Sequence, residues 1–74
     1  MTLAEFNTLL PEERTAIAFK GNFVDVRTEK GSKVALYSHP HFYAEVFYDG
    51  KSNRITHCRA FTTLSLLAPY VNLT

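Results

Sequence analysis

The stretch HFYAEVFYDG, residues 41–50, is the longest aromatic and β-branched run of the chain, and the turn signal DG ends it. Alternate side chains of a strand point to opposite faces, so Ala44 and Val46 share one face and Glu45 lies on the other. Both faces are largely apolar, which is typical of a central strand with cover on both sides. Glu45 stands between two aromatic residues, and this position predicts a positively charged partner.

The rest of the chain reads as elements that pair with this strand or cover it. Thr2 and Glu5 form a capping box, which predicts a helix at the N-terminus, and Pro11 fits the first turn of a second helix. The predicted elements are helices at 3–9 and 11–20, strands at 22–28, 33–38 and 54–61, and a short helix from residue 64. Short turns between successive strands predict one α+β domain over residues 1–74, a four-stranded antiparallel β-meander with N-terminal helices and a short C-terminal helix packed on one face.

The composition limits the classes of function. The chain has 74 residues, is 46% hydrophobic and carries a net charge of +1, which indicates one folded domain and argues against duplex DNA or an anionic membrane as partner. No apolar run approaches the ~20 residues that a membrane span needs. Cys58 is the only cysteine, so no internal disulfide can form, and a reducing compartment, the cytoplasm, is predicted.

The two faces of the predicted sheet differ in character. The helices are expected to cover mostly aliphatic residues: Val24, Val26, Val34, Leu36, Phe42, Ala44 and Val46. The other face then carries four large aromatic residues: Phe23, Tyr37, Tyr43 and Phe47. An exposed apolar patch of this kind usually marks an interaction site, so we expect a homodimer or another protein partner. Alternatively, loops or the stems of Arg and Lys side chains shield the patch.

Arginines alternate with aromatic residues on the predicted strands. Aromatic side chains on a basic sheet can stack single-stranded bases, which gives an alternative function in ligand or nucleic-acid binding. Acidic residues share these strands, however, and the nearly neutral charge makes nucleic acid an unfavoured partner. Cross-strand ion pairing is the preferred interpretation, with Glu45 paired to Arg59 or Arg27.

The register of the last hairpin decides where Glu45 points. A shift of one residue moves every side chain of the last strand to the other face. A β-bulge near Thr56 or His57 keeps Ile55 inside early and Cys58 inside later, and it leaves Glu45 facing an arginine. We predict this bulged register.

Histidine and cysteine supply the soft metal ligands of the chain: His39, His41, His57 and Cys58. Their spacing matches no zinc motif. The neighbours His57 and Cys58 point to opposite faces of a strand, so the histidine cannot activate the thiol. No nucleophile, base and orienting group can be assembled, and we predict no metal, no cofactor and no catalysis.

Four motifs span most of the chain: FYAEVFY at 42–48, NRI at 53–55, RAF at 59–61 and LAPY at 67–70. They resemble a group of small single-domain proteins from Bacteroidetes-type bacteria, which have an F-Y-V-E-V-x-Y strand, an N-x-I turn, an I-R-x-F strand and an L-x-P-Y end. This chain departs from that pattern at Ala44 and Cys58, where larger aliphatic residues are usual. The resemblance implies a natural stand-alone bacterial domain and, because the group has no assigned activity, it implies no function.

The sequence therefore predicts a small cytoplasmic protein-interaction module that forms a homodimer through the aromatic face and is not an enzyme. The alternative is a small-ligand, nucleotide or single-stranded nucleic-acid binding domain that uses the same face. The residues expected at this interface or ligand face are Phe23, Arg27, Tyr37, Tyr43, Glu45, Phe47 and Arg59.

Overall fold

The structure, a computed structural model, describes residues 1–70. Its elements are α1 (Leu3–Asn7), α2 (Pro11–Ala18), β1 (Asn22–Glu29), β2 (Ser32–Ser38), β3 (Tyr43–Asp49), β4 (Ile55–Phe61) and a 3-10 helix (Leu64–Leu67). The four strands form one antiparallel sheet in the order β1-β2-β3-β4. The predicted α+β class and the β-meander are confirmed. Within residues 1–70, no helix is long and apolar enough to cross a membrane.

The N-terminal helices begin where local sequence signals place them. The Thr2 hydroxyl accepts a hydrogen bond from the Glu5 N–H at 3.2 Å, and the Glu5 carboxylate accepts one from the Thr2 N–H at 2.8 Å. This is the predicted capping box, and it satisfies two N–H groups that the first helical turn leaves without partners. Pro11 opens α2, as predicted, because a proline at the first position lacks only an N–H that would have had no helical partner.

Two-residue turns decide which strand residues share a face. Lys30 and Gly31 join β1 to β2 with φ values of 45° and 84°, and these positive angles give the turn geometry that matches the twist of a hairpin. Pro40 and His41 form a second two-residue turn between β2 and β3. His39 and Phe42 close this turn, and the His39 N–H donates to the Phe42 carbonyl at 2.9 Å. Across a two-residue turn, an odd-numbered residue opposes an even-numbered one.

This parity corrects the predicted assignment of faces. Leu36 opposes Glu45 and Ala35 opposes Val46, so Leu36 lies on the face of Glu45 and Ala35 on the other face. The prediction that Val34 and Leu36 lie with Ala44 and Val46 is wrong, because it did not allow for the odd offset of the turn. We call the face with Ala44 and Val46 the helix-side face, and the opposite one the Glu45 face.

The N-terminal and C-terminal segments cover different faces of the sheet. Ala18 of α2 packs on Ala44 and Val46, and all three are fully buried. On the Glu45 face, the buried cluster joins Leu36 and Phe61 to Tyr70. Leu67 of the 3-10 helix packs against this cluster, so the C-terminal helix lies on the Glu45 face and not, as expected, on the same face as α2.

The last hairpin has the predicted bulge. Phe47 opposes His57 and Tyr48 opposes Ile55, so Thr56 is the additional residue on β4. The Thr56 hydroxyl donates to the Phe47 carbonyl at 3.2 Å. Beyond the bulge the register continues without interruption through the middle of the sheet.

Candidate functional site

A buried carboxylate lies at the centre of the Glu45 face. Glu45 is 0% exposed. Arg59 lies opposite it on β4, and its Nε donates to Glu45 Oε1 at 2.5 Å. Arg27 of β1 donates from Nη2 to Glu45 Oε2 at 3.2 Å. The predicted ion pair is confirmed, and both candidate arginines take part rather than one of them.

The third partner of Glu45 is Tyr70, whose hydroxyl donates to Oε2 at 2.5 Å. Tyr70 is 1% exposed, and the Arg27 guanidinium carbon lies 5.4 Å from the centre of its ring. Burial raises the pKa of Tyr70, and the hydrogen bond to Glu45 raises it further. The sequence indicated only that Tyr70 could pack. Tyr70 and Glu45 are 25 residues apart in the sequence, so no local sequence pattern indicates that the Tyr70 hydroxyl bonds to Glu45.

We call Glu45, Arg27, Arg59 and Tyr70 the Glu45 cluster. Both Glu45 oxygens are occupied by donors from the chain itself. The two arginines differ, because the Arg27 side chain is 10% exposed and that of Arg59 is 44% exposed. A carboxylate held by charge-assisted hydrogen bonds from three side chains connects β1, β3 and β4 to the C-terminal segment.

The aromatic residues of the Glu45 face are shielded. Phe47 is 5% exposed, stacks on His57 with 4.1 Å between ring centres, and has the Arg59 guanidinium 5.7 Å above its ring. Tyr43 stacks on Phe61 at 5.7 Å. Shielding by arginine side chains was the alternative interpretation of this face, and the geometry fits it.

Phe23 and Tyr37 lie on the helix-side face, where they oppose each other across β1 and β2. The four aromatic residues expected on one exposed surface are therefore divided between two faces, with Tyr43 and Phe47 on the Glu45 face. The structure therefore has no single surface on which a partner or ligand could contact all four of these aromatic residues. Two irregularities cause this division. The odd offset of the turn between β2 and β3 separates Tyr37 from Tyr43 and Phe47, and a β-bulge in β1, between Phe23 and Asp25, moves Phe23 to the helix-side face.

An exposed apolar strip runs along β1 on the helix-side face. Phe23 is 61% exposed, Val26 is 51% exposed, and Phe19 at the end of α2 is 42% exposed. Tyr37 lies between the two phenylalanines, with ring centres 5.5 Å from Phe19 and 5.8 Å from Phe23. We call these four residues the β1 strip. Tyr37 is partly buried, whereas Phe19, Phe23 and Val26 are exposed, because α2 packs over β3 and β4 and not over β1.

The outer edge of β1 has no neighbouring strand within the described residues. Glu29 and Ser32 close the two-residue hairpin, and alternation of the ladder from that pair turns the N–H of Val26 outward. This N–H donates to the Asp25 carboxylate at 2.8 Å. The edge is thus partly protected by an acidic side chain, a common device against uncontrolled strand pairing.

The histidines and the cysteine do not meet at one place. The Nε2 atom of His39 lies 3.2 Å from the Ala18 carbonyl, whereas His57 stacks on Phe47. In residues 1–70, no group of three His, Cys, Asp or Glu side chains is arranged to hold a metal ion. Burial raises the pKa of the Cys58 thiol to about 11, although the charge of Arg14 opposes the shift. At neutral pH this cysteine is a thiol, the less nucleophilic form.

Comparison with models of known protein families gave no match, and searches of curated proteins and of solved structures gave none either. The resemblance to small bacterial single-domain proteins thus stays a prediction. No relative contributes a functional residue, so the geometry of the chain carries the functional argument alone.

Proposed function

We propose that this chain is a small cytoplasmic protein-interaction module without catalysis, and that it forms a homodimer through β1. The observation that carries the proposal is the β1 strip: Phe23 and Val26 on the edge strand are 61% and 51% exposed, and Phe19 at the end of α2 is 42% exposed. A contiguous exposed apolar patch usually marks an interaction surface. The proposed interface is the edge of the sheet rather than the aromatic face expected from the sequence. Phe23 and Tyr37 belong to both.

The charges of β1 favour a second copy of the same strand. In an antiparallel pair centred on Val26, Asp25 lies opposite Arg27 of the second copy, and the two-fold axis repeats this contact. Opposite charges across a strand pair contribute roughly 0.2–1 kcal/mol per contact. The same arrangement places Val26 against its own copy and continues the β1 strip into the second molecule.

Asp25 makes this dimer weak. The outward N–H of Val26 already bonds to the Asp25 carboxylate, so strand pairing exchanges one hydrogen bond for another. Such an exchange contributes little net free energy, and the affinity comes from burial of the strip. A stable complex buries about 800 Å² per partner, more than four side chains supply, so we expect a weak dimer with a dissociation constant in the micromolar range.

The test is the mass in solution of two lysine variants at exposed apolar positions. Val26→Lys sets two positive charges against each other at the two-fold axis. Leu64→Lys makes the same change at a position that is 70% exposed and lies in the C-terminal 3-10 helix. By sedimentation equilibrium, we expect Val26→Lys to weaken the dimer at least about tenfold, or 1.4 kcal/mol, and Leu64→Lys to leave it unchanged.

A wild-type chain that sediments as a monomer at high micromolar concentration would contradict the proposal. So would an equal effect of the two lysine variants, because the surface would then not involve β1. Circular dichroism of both variants checks that the fold is retained.

A further inference from the structure

A cleft lies on the side of the sheet away from β1. It has a volume of about 480 Å³ and opens between the start of α2 and the edge strand β4. Pro11 and Ile55 supply apolar walls, while Arg14 and Thr15 supply polar groups. Neither the β1 strip nor the Glu45 cluster contributes to this cleft, so it is independent of the proposed dimer.

Arg14 is the unusual residue of the cleft. It is half-buried, and its Nε is shielded from solvent without a hydrogen-bond partner in the part of the chain that the structure describes. Arg27 and Arg59 both pair with Glu45, whereas none of the ion pairs found within residues 1–70 involves Arg14. The Nε atom has lost its hydration without gaining a partner. An anion that bonds the outer donors of the same guanidinium would offset part of this cost.

We propose that this cleft binds a small organic anion, a carboxylate or phosphate monoester attached to a compact apolar group. The guanidinium of Arg14 bonds to the acid group, because its planar donors match two oxygens of a carboxylate or phosphate. The apolar part of the ligand lies against Pro11 and Ile55, in keeping with the mostly apolar walls of small-molecule sites.

Glu12 allows a second test of the proposal, with an effect on ligand affinity opposite to that of Arg14. This exposed carboxylate also lines the cleft and repels an anion, although water screens part of the effect. Removal of its charge is therefore expected to tighten binding, while removal of the Arg14 charge weakens it. A cleft that took up ligands only through apolar contact would respond to neither change.

The experiment is a titration of amide shifts by ¹H–¹⁵N NMR with four probes: benzoate, phenyl phosphate, benzyl alcohol and inorganic phosphate. We expect the two aromatic anions to shift the amides of residues 12–15 and 55–58. The neutral alcohol and the bare phosphate are each expected to bind at least about tenfold more weakly. The relative affinity of benzoate and phenyl phosphate shows which acid group the cleft prefers.

Four variants assign the effect to the cleft. Arg14→Gln is expected to weaken benzoate binding at least about tenfold, Arg14→Lys to weaken it less, and Glu12→Gln to tighten it about twofold to threefold. Arg54→Gln is the matched control, because Arg54 is exposed and lies just before β4, outside the cleft. Thermal unfolding checks the fold of each variant. If Arg14→Gln does not fold, the opposite effects of Arg14→Lys and Glu12→Gln decide.

Cys58 provides an independent readout because it also lines the cleft. Benzoate is expected to slow alkylation of Cys58 at pH 9 in the wild type and not in Arg14→Gln. Equal binding of benzoate and benzyl alcohol, or equal weakening by Arg14→Gln and Arg54→Gln, would overturn the proposal. Binding too weak to shift any cleft amide would overturn it as well, whether or not the chain forms a dimer.

Discussion

The helix-side face of the sheet is apolar and only partly covered, whereas the Glu45 face holds a buried charge and is closed by one tyrosine. On the helix-side face, Phe23 is 61% exposed and Val26 is 51% exposed. On the Glu45 face, Glu45 is 0% exposed and Tyr70 is 1% exposed.

The difference follows from the interactions that close each face. Apolar contact is not directional, so an uncovered edge costs only the hydrophobic free energy of the exposed area. A buried carboxylate without its partners costs several kcal/mol, so its surroundings must be complete. The open face is therefore the one that can accept a partner, and the closed face is the one whose disruption should unfold the chain.

The largest effect is expected from Glu45→Ala. Removal of Glu45 leaves the nearly buried Arg27 without its buried counter-charge, and loss of one partner of a buried pair costs about 3–5 kcal/mol. Because Arg59 is half-exposed and can be rehydrated, we expect the lower end, about 3 kcal/mol, measured by urea unfolding.

Glu29→Ala is the matched control for this change. Glu29 also pairs with Arg27, at 3.1 Å, but its side chain is 50% exposed. An exposed pair contributes about 1 kcal/mol or less, so the control should differ little from the wild type. A loss below 1 kcal/mol for Glu45→Ala would show that the cluster does not stabilise the Glu45 face.

A smaller effect is expected from Tyr70→Phe, which keeps the ring and removes the donor to Glu45. Loss of a hydrogen bond to a charged group costs about 1.5–3 kcal/mol, and we expect the lower end because two arginines remain. Tyr37→Phe, on the helix-side face, is the control and should cost less than about 0.5 kcal/mol. Equal losses of unfolding free energy in the two variants would mean that the Tyr70 hydroxyl does not stabilise the Glu45 face.

The pH dependence of Tyr70→Phe sharpens this comparison. The pKa of Tyr70 is raised in the folded chain, so folding favours the neutral phenol. Its contribution is complete below the unfolded pKa, about 10, and is lost as the pH rises towards the higher folded pKa. Above about pH 10, unfolding free energies of the wild type and Tyr70→Phe should therefore converge. A constant difference up to pH 12 would contradict the assignment.

The smallest effect concerns Cys58 on the helix-side face. Its pKa is raised to about 11 by burial, so the thiolate that reacts with iodoacetamide is scarce at pH 8. We expect slow alkylation in the folded chain, a rise in rate towards pH 11, and fast alkylation at pH 8 after unfolding in urea. The stability from this raised pKa is complete below about pH 9 and is lost progressively as the pH rises from about 9 to about 11. Equal rates in folded and unfolded chains would contradict burial.

Local and pairwise features could be predicted from the sequence. The Thr2–Glu5 capping box depends on two residues three positions apart. The run of aromatic and β-branched residues in β3 indicates a strand by itself. The bulge at Thr56 and the arginine partners of Glu45 followed from one requirement, that a carboxylate inside a sheet must be paired. Each of these inferences involves one element or one pair of strands.

Features that depend on several elements at once could not be predicted. The two-residue turn at Pro40 and His41 shifts β2 against β3 by an odd number, and nothing in the composition of either strand reveals that offset. The wrong offset placed Leu36 under the helices and grouped Tyr37 with Phe47. The β-bulge between Phe23 and Asp25, which moves Phe23 to the other face, was not predicted either.

The contact between the two hairpin turns has a consequence for how this chain can change over generations. The Gly50 N–H donates to the Gly31 carbonyl at 2.9 Å, and a Cβ atom at position 50 would overlap that oxygen. Gly31 is itself confined to residues that accept a positive φ. A side chain at position 50 therefore becomes tolerable only after the first hairpin has been rebuilt, so the histories of two turns 19 residues apart are tied together, and their substitutions should occur as a pair.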